Sequence, residues 1–158
     1  MKILGIDPGF AIVGFGVVDY ANNKFNTIEY GQITSPAKTP MNKRIKMVYD
    51  DVTYLMKKHR PQVMAIESLF FNSNQKTAIN VAMARGALML AAENQGLDIA
   101  EYTPLQVKQA VCGYGRADKK QVQLMVKTIL GLDEIPKPDD AADALAIGIC
   151  YGHSYQLI

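Results

Sequence analysis

Cysteine is scarce in this chain: among 158 residues the only thiols are Cys112 and Cys150. Two such distant cysteines exclude a disulfide framework and a cysteine-based zinc site; they fit a reducing cytosol, with both expected to be buried structural residues. Histidine is equally rare, and His59 and His153 have no partner at metal-ligand spacing, so each is expected to be a surface or packing residue. No stretch approaches the roughly 20 apolar residues that a membrane span requires. The N-terminal MKILGIDPGF has only a short apolar run before an acid, and the protein is therefore expected to be soluble and cytoplasmic, with no membrane partner. Internal repeats, low-complexity tracts and linkers are missing too. At 49% hydrophobic and 20% charged residues, the chain has enough apolar material for one core, and residues 1–158 are expected to form a single domain that folds without a staple.

A large excess of one charge is also absent. The formal net charge of +2 does not by itself mark a nucleic-acid binder, because most soluble domains lie within a few charges of neutrality. The distribution says more. Residues 37–60 carry seven Lys or Arg against Asp50 and Asp51, and residues 104–127 carry Lys108, Arg116, Lys119, Lys120 and Lys127 against Asp118. Such segments suit either solvated helix faces or contact with phosphates, and charge alone does not choose between them.

The order of elements follows from periodicity. Ile3 to Ile6 is a short apolar run ending at the turn signal Asp7-Pro8-Gly9; Gly14 to Tyr20 and Lys24 to Thr34 read as two further strands around an Asn22-Asn23 hairpin. After Pro36 and Pro40, the residues Ile45, Val48, Val52, Leu55 and Met56 recur at spacings of three and four, which predicts an amphipathic helix ending near His59-Arg60-Pro61. Val63 to Glu67 is a short buried strand, and a right-handed helical crossover sets it parallel to the first strand. A helix from about Gln75 to Gln95 stops at Gly96, and Asp98 to Tyr102 is a fifth strand. Thr103-Pro104 opens a helix to about Val111; Gly113, Gly115 and Arg116 mark a loop; helices follow from about Lys119 to Leu130 and from about Asp140 to Tyr151. The order β-β-β-α-β-α-β-α-α-α predicts an α/β domain, a mixed five-stranded sheet flanked by helices, with its chemistry at the carboxyl ends of the parallel strands.

Acids gather at those ends. Asp7 and Glu67 each close a short apolar strand, the two strands are expected neighbours, and their carboxylates should nearly meet. A lone Asp-Pro-Gly is more often a turn or a helix cap; two such acids together are not explained that way. Asp140-Ala-Ala-Asp143 puts two more carboxylates on one face of a helix, separated by small residues that allow close approach. Asp139, at the helix start, reads as a cap favoured by the helix dipole, while Asp143 lies a turn further in, where the dipole helps less. If these carboxylates converge, cations must offset their repulsion, and an all-oxygen ligand set selects hard ions such as Mg²⁺ or Mn²⁺. Two such ions about 3.5–4 Å apart would activate water for in-line attack on phosphorus and stabilise the leaving 3′ oxygen, with no need for a cysteine, serine or histidine nucleophile.

Gly5-Ile6-Asp7-Pro8-Gly9, Ala65-Ile66-Glu67 with a following aromatic, Ala84-Arg85-Gly86, Gln106-Val107-Lys108-Gln109 and Asp140-Ala141-Ala142-Asp143-Ala144-Leu145-Ala146, in that order and across nearly the whole chain, resemble the RuvC family of Holliday-junction resolvases. The resemblance implies an RNase H-like fold, a homodimer, Mg²⁺-dependent symmetrical nicking of a four-way DNA junction that leaves 5′-phosphate and 3′-hydroxyl ends in recombination and repair, and cooperation with a branch-migration motor of the RuvA and RuvB type. Its catalytic and metal-binding acids fall on Asp7, Glu67, Asp140 and Asp143, with the Asp139-Asp140 doublet leaving the frame open. Lys108 and Lys119 match the basic residues near the scissile phosphate, with Lys120 and Arg116 as neighbouring candidates. Phe70 aligns with an aromatic that stacks on unpaired junction bases; Phe71 beside it is the alternative, and core packing is the bland reading for both. Stacking would contribute on the order of 1–3 kcal/mol per base. The stripe Ala78, Ala82 and Gly86, with Ile79, Met83 and Leu90 alongside, either packs on the protein's own sheet or forms the dimer interface that the resemblance implies, which would match the two-fold symmetry of the junction.

Three other readings compete. A phosphate-binding ATPase half would need a second such domain, for which the chain is too short. An inert DNA-structure binder should have lost an acid, and none is lost. A related RNA-processing nuclease of the same fold class is disfavoured by the junction motifs.

Overall fold

The computed structural model describes residues 1–69 and 75–155. The strands are β1 (Lys2–Asp7), β2 (Ile12–Ala21), β3 (Lys24–Thr34), β4 (Val63–Glu67) and β5 (Asp98–Tyr102); the helices are α1 (Met41–His59), α2 (Gln75–Asn94), α3 (Pro104–Cys112), α4 (Lys119–Leu130) and α5 (Asp139–Tyr155). Every expected element is present in the expected order. The sheet runs β3-β2-β1-β4-β5, with β1, β2 and β3 antiparallel and β1, β4 and β5 parallel.

Local chemistry explains the boundaries. Asn22 and Asn23 both take positive φ, 50° and 60°, as a two-residue hairpin turn requires and as asparagine tolerates. Both α3 and α4 open with reciprocal capping boxes, Thr103 with Gln106 and Asp118 with Gln121, which satisfy backbone donors left free at a helix start. Helix α5 is longer than expected at both ends: it begins at Asp139 and continues to Tyr155, where the Ser154 hydroxyl donates back to the Cys150 carbonyl at 2.8 Å. Of the two cysteines, Cys150 is buried as expected, but Cys112 is only half-buried, because it closes α3 against the loop before α4. His59 donates through Nε2 to Glu29 at 2.6 Å, and His153 donates through Nδ1 to the Ala110 carbonyl at 2.9 Å; both are packing residues.

The sheet has a core on each face. Ile3, Val18, Val63, Ala65, Val107, Val122, Leu145 and Ile149 meet on one side, beneath α3, α4 and α5. Leu4, Ile6, Val13, Phe15, Val48, Val52, Met64, Ile66 and Leu88 meet on the other, beneath α1 and α2. Side chains alternate along a strand, so Asp7 follows Ile3 and Gly5 onto the α5 face, and Glu67 follows Val63 and Ala65 onto the same face. The register places Ile6 opposite Ile66 on parallel strands, and the two acids therefore leave adjacent strand ends side by side.

Glycines set how closely α5 lies on that face. A Cβ at Gly5 would collide with the Ala144 carbonyl, one at Gly14 with the Asp140 carbonyl, and one at Gly16 with the Leu145 side chain. The helix backbone thus rests almost directly on β1 and β2. Gly14 is paired with Asp7, so the first turn of α5 is seated beside the end of β1. Among the described residues, no helix is long and apolar enough to cross a membrane.

Candidate active site

Asp7 and Glu67 from the ends of β1 and β4 and Asp143 from α5 line one cavity of about 230 Å³, together with Lys108 of α3 and Lys119 of α4. Its rear wall is apolar: Val107, Val122, Ala146 and Ile147. Asp140 is not part of the lining, yet it sits one turn before Asp143, with its carbonyl over Gly14, and its charge acts on both Asp7 and Asp143.

Burial and mutual repulsion load this site with unfavourable negative charge. Burial, then the Asp143, Glu67 and Asp140 carboxylates, push the Asp7 carboxyl up to about 7, with Lys119 pulling the other way. Glu67 is raised by burial and by Asp143. Asp143 is raised as well: its burial outweighs the help of Lys119, and Asp139 and Asp140 add repulsion. Lys119 is the cation that answers them, its Nζ 3.2 Å from Asp139 and 3.6 Å from Asp143. Burial opposes its charge, but those carboxylates hold its ammonium above the ordinary lysine range.

Carboxylates converging on one small cavity, with Lys119 as the ammonium paired to them and Lys108 also in the lining, are the donor set that a hard divalent cation fits. Among the described residues no three ligand side chains form a ready-made cage; like charges drawn together without a cation between them are expected to splay.

The comparisons with known proteins bear on this geometry. Residues 3–151 match the family described as crossover junction endodeoxyribonuclease RuvC. The chain belongs to the RuvC family. It is 56% identical to the crossover junction endodeoxyribonuclease RuvC of Halothermothrix orenii, over 99% of this chain and 95% of that one, and 55% identical to that of Caldanaerobacter subterraneus subsp. tengcongensis, over 100% and 96%. Thermus thermophilus RuvC in complex with Holliday junction substrate superposes with a TM-score of 0.95 at 35% identity, covering 99% of this chain and 96% of that one. The fold is thus the RNase H-like one that the motifs imply for the RuvC family.

Of the basic candidates that the RuvC resemblance supplies, Lys108 and Lys119 reach the cavity. Lys120 and Arg116 are exposed and lie outside its lining. Phe70 and Phe71 fall outside the described residues. Asp139 does not cap α5: the Pro138 carbonyl accepts from the Ala141 and Ala142 N–H groups at 3.0 and 3.3 Å. The Asp139 carboxylate instead accepts from the Gln123 amide at 3.2 Å and pairs with Lys119, tethering that lysine from outside the cavity. Of the stripe on α2, Gly86 is exposed, whereas Ala78 and Ala82 are half-buried. Leu88, Ala91 and Ala92 join the core of the sheet, and Ile79, Met83, Gly86 and Leu90 are exposed on the opposite side of the helix.

Two supports had no role assigned from the sequence, although Arg85 stands in the Ala84-Arg85-Gly86 motif. Arg44 is only 5% exposed; it stacks 4.1 Å above the Phe10 ring and donates from Nε to the Ser35 hydroxyl at 2.8 Å, which pins the loop following Asp7. Arg85 of α2 donates to the Glu67 carbonyl at 3.3 Å. Neither was predictable from spacing, because each depends on contacts between elements distant in sequence.

Proposed function

We propose that this chain is a structure-selective endodeoxyribonuclease, one nuclease domain over residues 1–158, which resolves four-way DNA junctions by hydrolysing phosphodiesters symmetrically in opposed strands. The observation that carries the reading is the convergence of Asp7, Glu67 and Asp143 with Lys108 and Lys119 in one cavity, in a chain that matches the RuvC family from residue 3 to 151. Membership of a family of DNA resolvases supports the cytoplasm as the place of action.

Asp7, Glu67, Asp140 and Asp143 would hold two Mg²⁺ ions, with Mn²⁺ as a substitute. Bound there, such ions supply an activated water and stabilisation of the leaving 3′ oxygen. Asp7, the most deeply buried of the acids, is fixed by its strand and anchors the centre. Asp143 and Asp140 approach from the helix seated on Gly14. Lys119, positioned by Asp139, and Lys108 offer cationic groups to the phosphate that enters. The apolar rear wall limits the water around the reacting group.

A junction with two-fold symmetry calls for two such sites. The exposed Ile79, Met83 and Leu90 around the bare Gly86 of α2 support a homodimer built on that helix. Phe70 or Phe71, just beyond β4, is the proposed base-stacking residue, and a motor of the RuvA and RuvB type the proposed partner.

The experiment is a nicking assay on synthetic four-way junctions with Mg²⁺. Symmetrical nicks are expected, and Asp7→Asn is expected to bind junctions without cutting them. Equal cleavage of linear duplex, or full activity in Asp7→Asn, would refute the proposal.

A further inference from the structure

Glu67 is the last residue of β4 and lies beyond the final pair with β1, Ile6 with Ile66. Its backbone is nevertheless gripped twice. On the β5 side, the N–H of the next residue, Ser68, donates to the Tyr102 carbonyl at 2.8 Å. From the opposite layer, Arg85 reaches down from α2 and donates through Nε to the Glu67 carbonyl at 3.3 Å. The guanidinium is largely buried and is itself held: Nη2 forms an ion pair with the Glu101 carboxylate, and Nη1 contacts the Met89 sulfur. Glu101 stands on β5 opposite Ile66, one residue before the acid on β4.

A guanidinium is a rigid planar fork. Fixing Nη2 on Glu101 therefore aims Nε–H at one place, the carbonyl of Glu67. A lysine could keep the charge near Glu101 but not both directions at once. The pair does no visible work for the carboxyl-bearing cavity directly, since it lies on the α2 face of the sheet and does not line that cavity. It acts on the peptide that carries the acid.

We propose that Arg85 is a positioning residue for Glu67, with Glu101 as its anchor, so that the fork sets where the Glu67 carboxylate stands in the metal centre. This rests on the reading of Glu67 as a metal ligand. Residues that orient ligands without touching the metal typically change metal affinity 10- to 100-fold when replaced.

The test is Mn²⁺ binding to the DNA-free protein, followed by electron paramagnetic resonance of free Mn²⁺, for Arg85→Lys, Glu101→Gln and Glu67→Gln, with the metal-free melting temperature of each. Arg85→Lys and Glu101→Gln are expected to weaken Mn²⁺ binding about ten-fold or more, while metal-free Glu101→Gln melts with the parent; high Mn²⁺ should restore junction nicking to Arg85→Lys. If Arg85→Lys fails to fold, Glu101→Gln decides, since it removes only a half-exposed carboxylate. Parental Mn²⁺ affinity in the Arg85 and Glu101 variants, alongside weakened binding in Glu67→Gln, overturns the positioning role alone. A loss of affinity that merely follows a loss of metal-free stability overturns it too. Parental binding in Glu67→Gln removes the ligand reading beneath it.

Discussion

Adding one methyl group at Gly14 tests how the fold places its acids. The new Cβ would stand 2.0 Å from the Asp140 carbonyl oxygen, and neither strand nor helix backbone can swing aside as a side-chain tip can. Helix α5 must rise from β2 at its first turn, or the fold must bear the overlap. Overpacking of this kind costs about 1–3 kcal/mol, which for a domain of this size lowers Tm by roughly 2–12 °C at about 2–4 °C per kcal/mol. The effect on chemistry should be larger than that on stability, because Asp140 and Asp143 move with the helix and a misplacement of about 1 Å can cost on the order of 100-fold in rate. The neighbouring glycines supply an internal scale. Gly5→Ala meets the Ala144 carbonyl oxygen at 2.1 Å, also backbone, whereas Gly16→Ala meets the Leu145 side chain first, at 2.7 Å, a smaller overlap. Gly5→Ala and Gly14→Ala should therefore melt lower than Gly16→Ala, and Gly14→Ala should lose far more nicking activity per degree of Tm. Calorimetry and single-turnover junction cleavage with Mg²⁺ read both quantities. Equal effects at all three sites, or parental cleavage by Gly14→Ala, would refute the claim that bare glycine seats the acidic helix.

Other consequences follow from the charges and the exposed faces. The Asp7 carboxyl stands at about 7 in the folded protein against 3.8 in a free side chain, so the folded state binds this proton more tightly than the unfolded state. Metal-free stability should thus be greatest below pH 4 as far as this group is concerned, and should fall as pH rises to about 7; at about 1.4 kcal/mol per unit the ceiling is about 4 kcal/mol. Asp7→Asn should flatten that slope in urea titrations and stabilise the metal-free protein at pH 8, and a slope unchanged by the substitution would count against the cause given. Lys119→Met should slow cleavage by about 100-fold or more while junction binding in Ca²⁺ is retained; an unchanged single-turnover rate would exclude the role. Leu90, 54% exposed on α2, supports no core, so Leu90→Glu should leave the melting of a dilute sample nearly unchanged yet convert a dimer to monomer in sedimentation velocity, and a persistent dimer would place the contact elsewhere.

How much of this was legible in the sequence depends on whether the cause was local. The hairpin at Asn22-Asn23, the capping boxes at Thr103 and Asp118, and the acids at the ends of β1 and β4 are each specified within a few residues, and the alternation of side chains carries Asp7 and Glu67 to the same face. The spacing of Asp140 and Asp143 likewise states that they share a helix face. What could not be read is where that face points, because it depends on Gly5, Gly14 and Gly16 meeting a helix more than 120 residues away in sequence. Asp139 shows the same limit: at a helix start it has the chemistry of a cap, and only the third dimension brings Gln123 and Lys119 within reach of it. The stripe on α2 was ambiguous for a related reason. Small residues permit close packing on either side of a helix, and it takes the fold to show that Leu88 and Ala91 join the core while Gly86 is left bare.

The glycine seat and the raised carboxyls are two aspects of one arrangement. Left to electrostatics, Asp7, Glu67, Asp140 and Asp143 would separate, since each raises the cost of ionising another. They are held together by apolar contacts on both faces of the sheet, where Leu4, Ile6, Met64 and Ile66 anchor one side of the acid-bearing strands and Leu145, Ile147 and Ile149 lock α5 onto the other. Each fully buried side chain of this kind contributes about 1.5–3 kcal/mol, so a few of them offset a penalty of the size that burial and then repulsion impose on Asp7. The surplus negative charge is thereby kept in a fixed place, partly answered by Lys119 and otherwise available to a cation. Removing Lys119 should consequently raise the demand for metal as well as slow the reaction, while adding bulk at Gly14 should relieve the repulsion by letting the acids part, at the expense of the site they form.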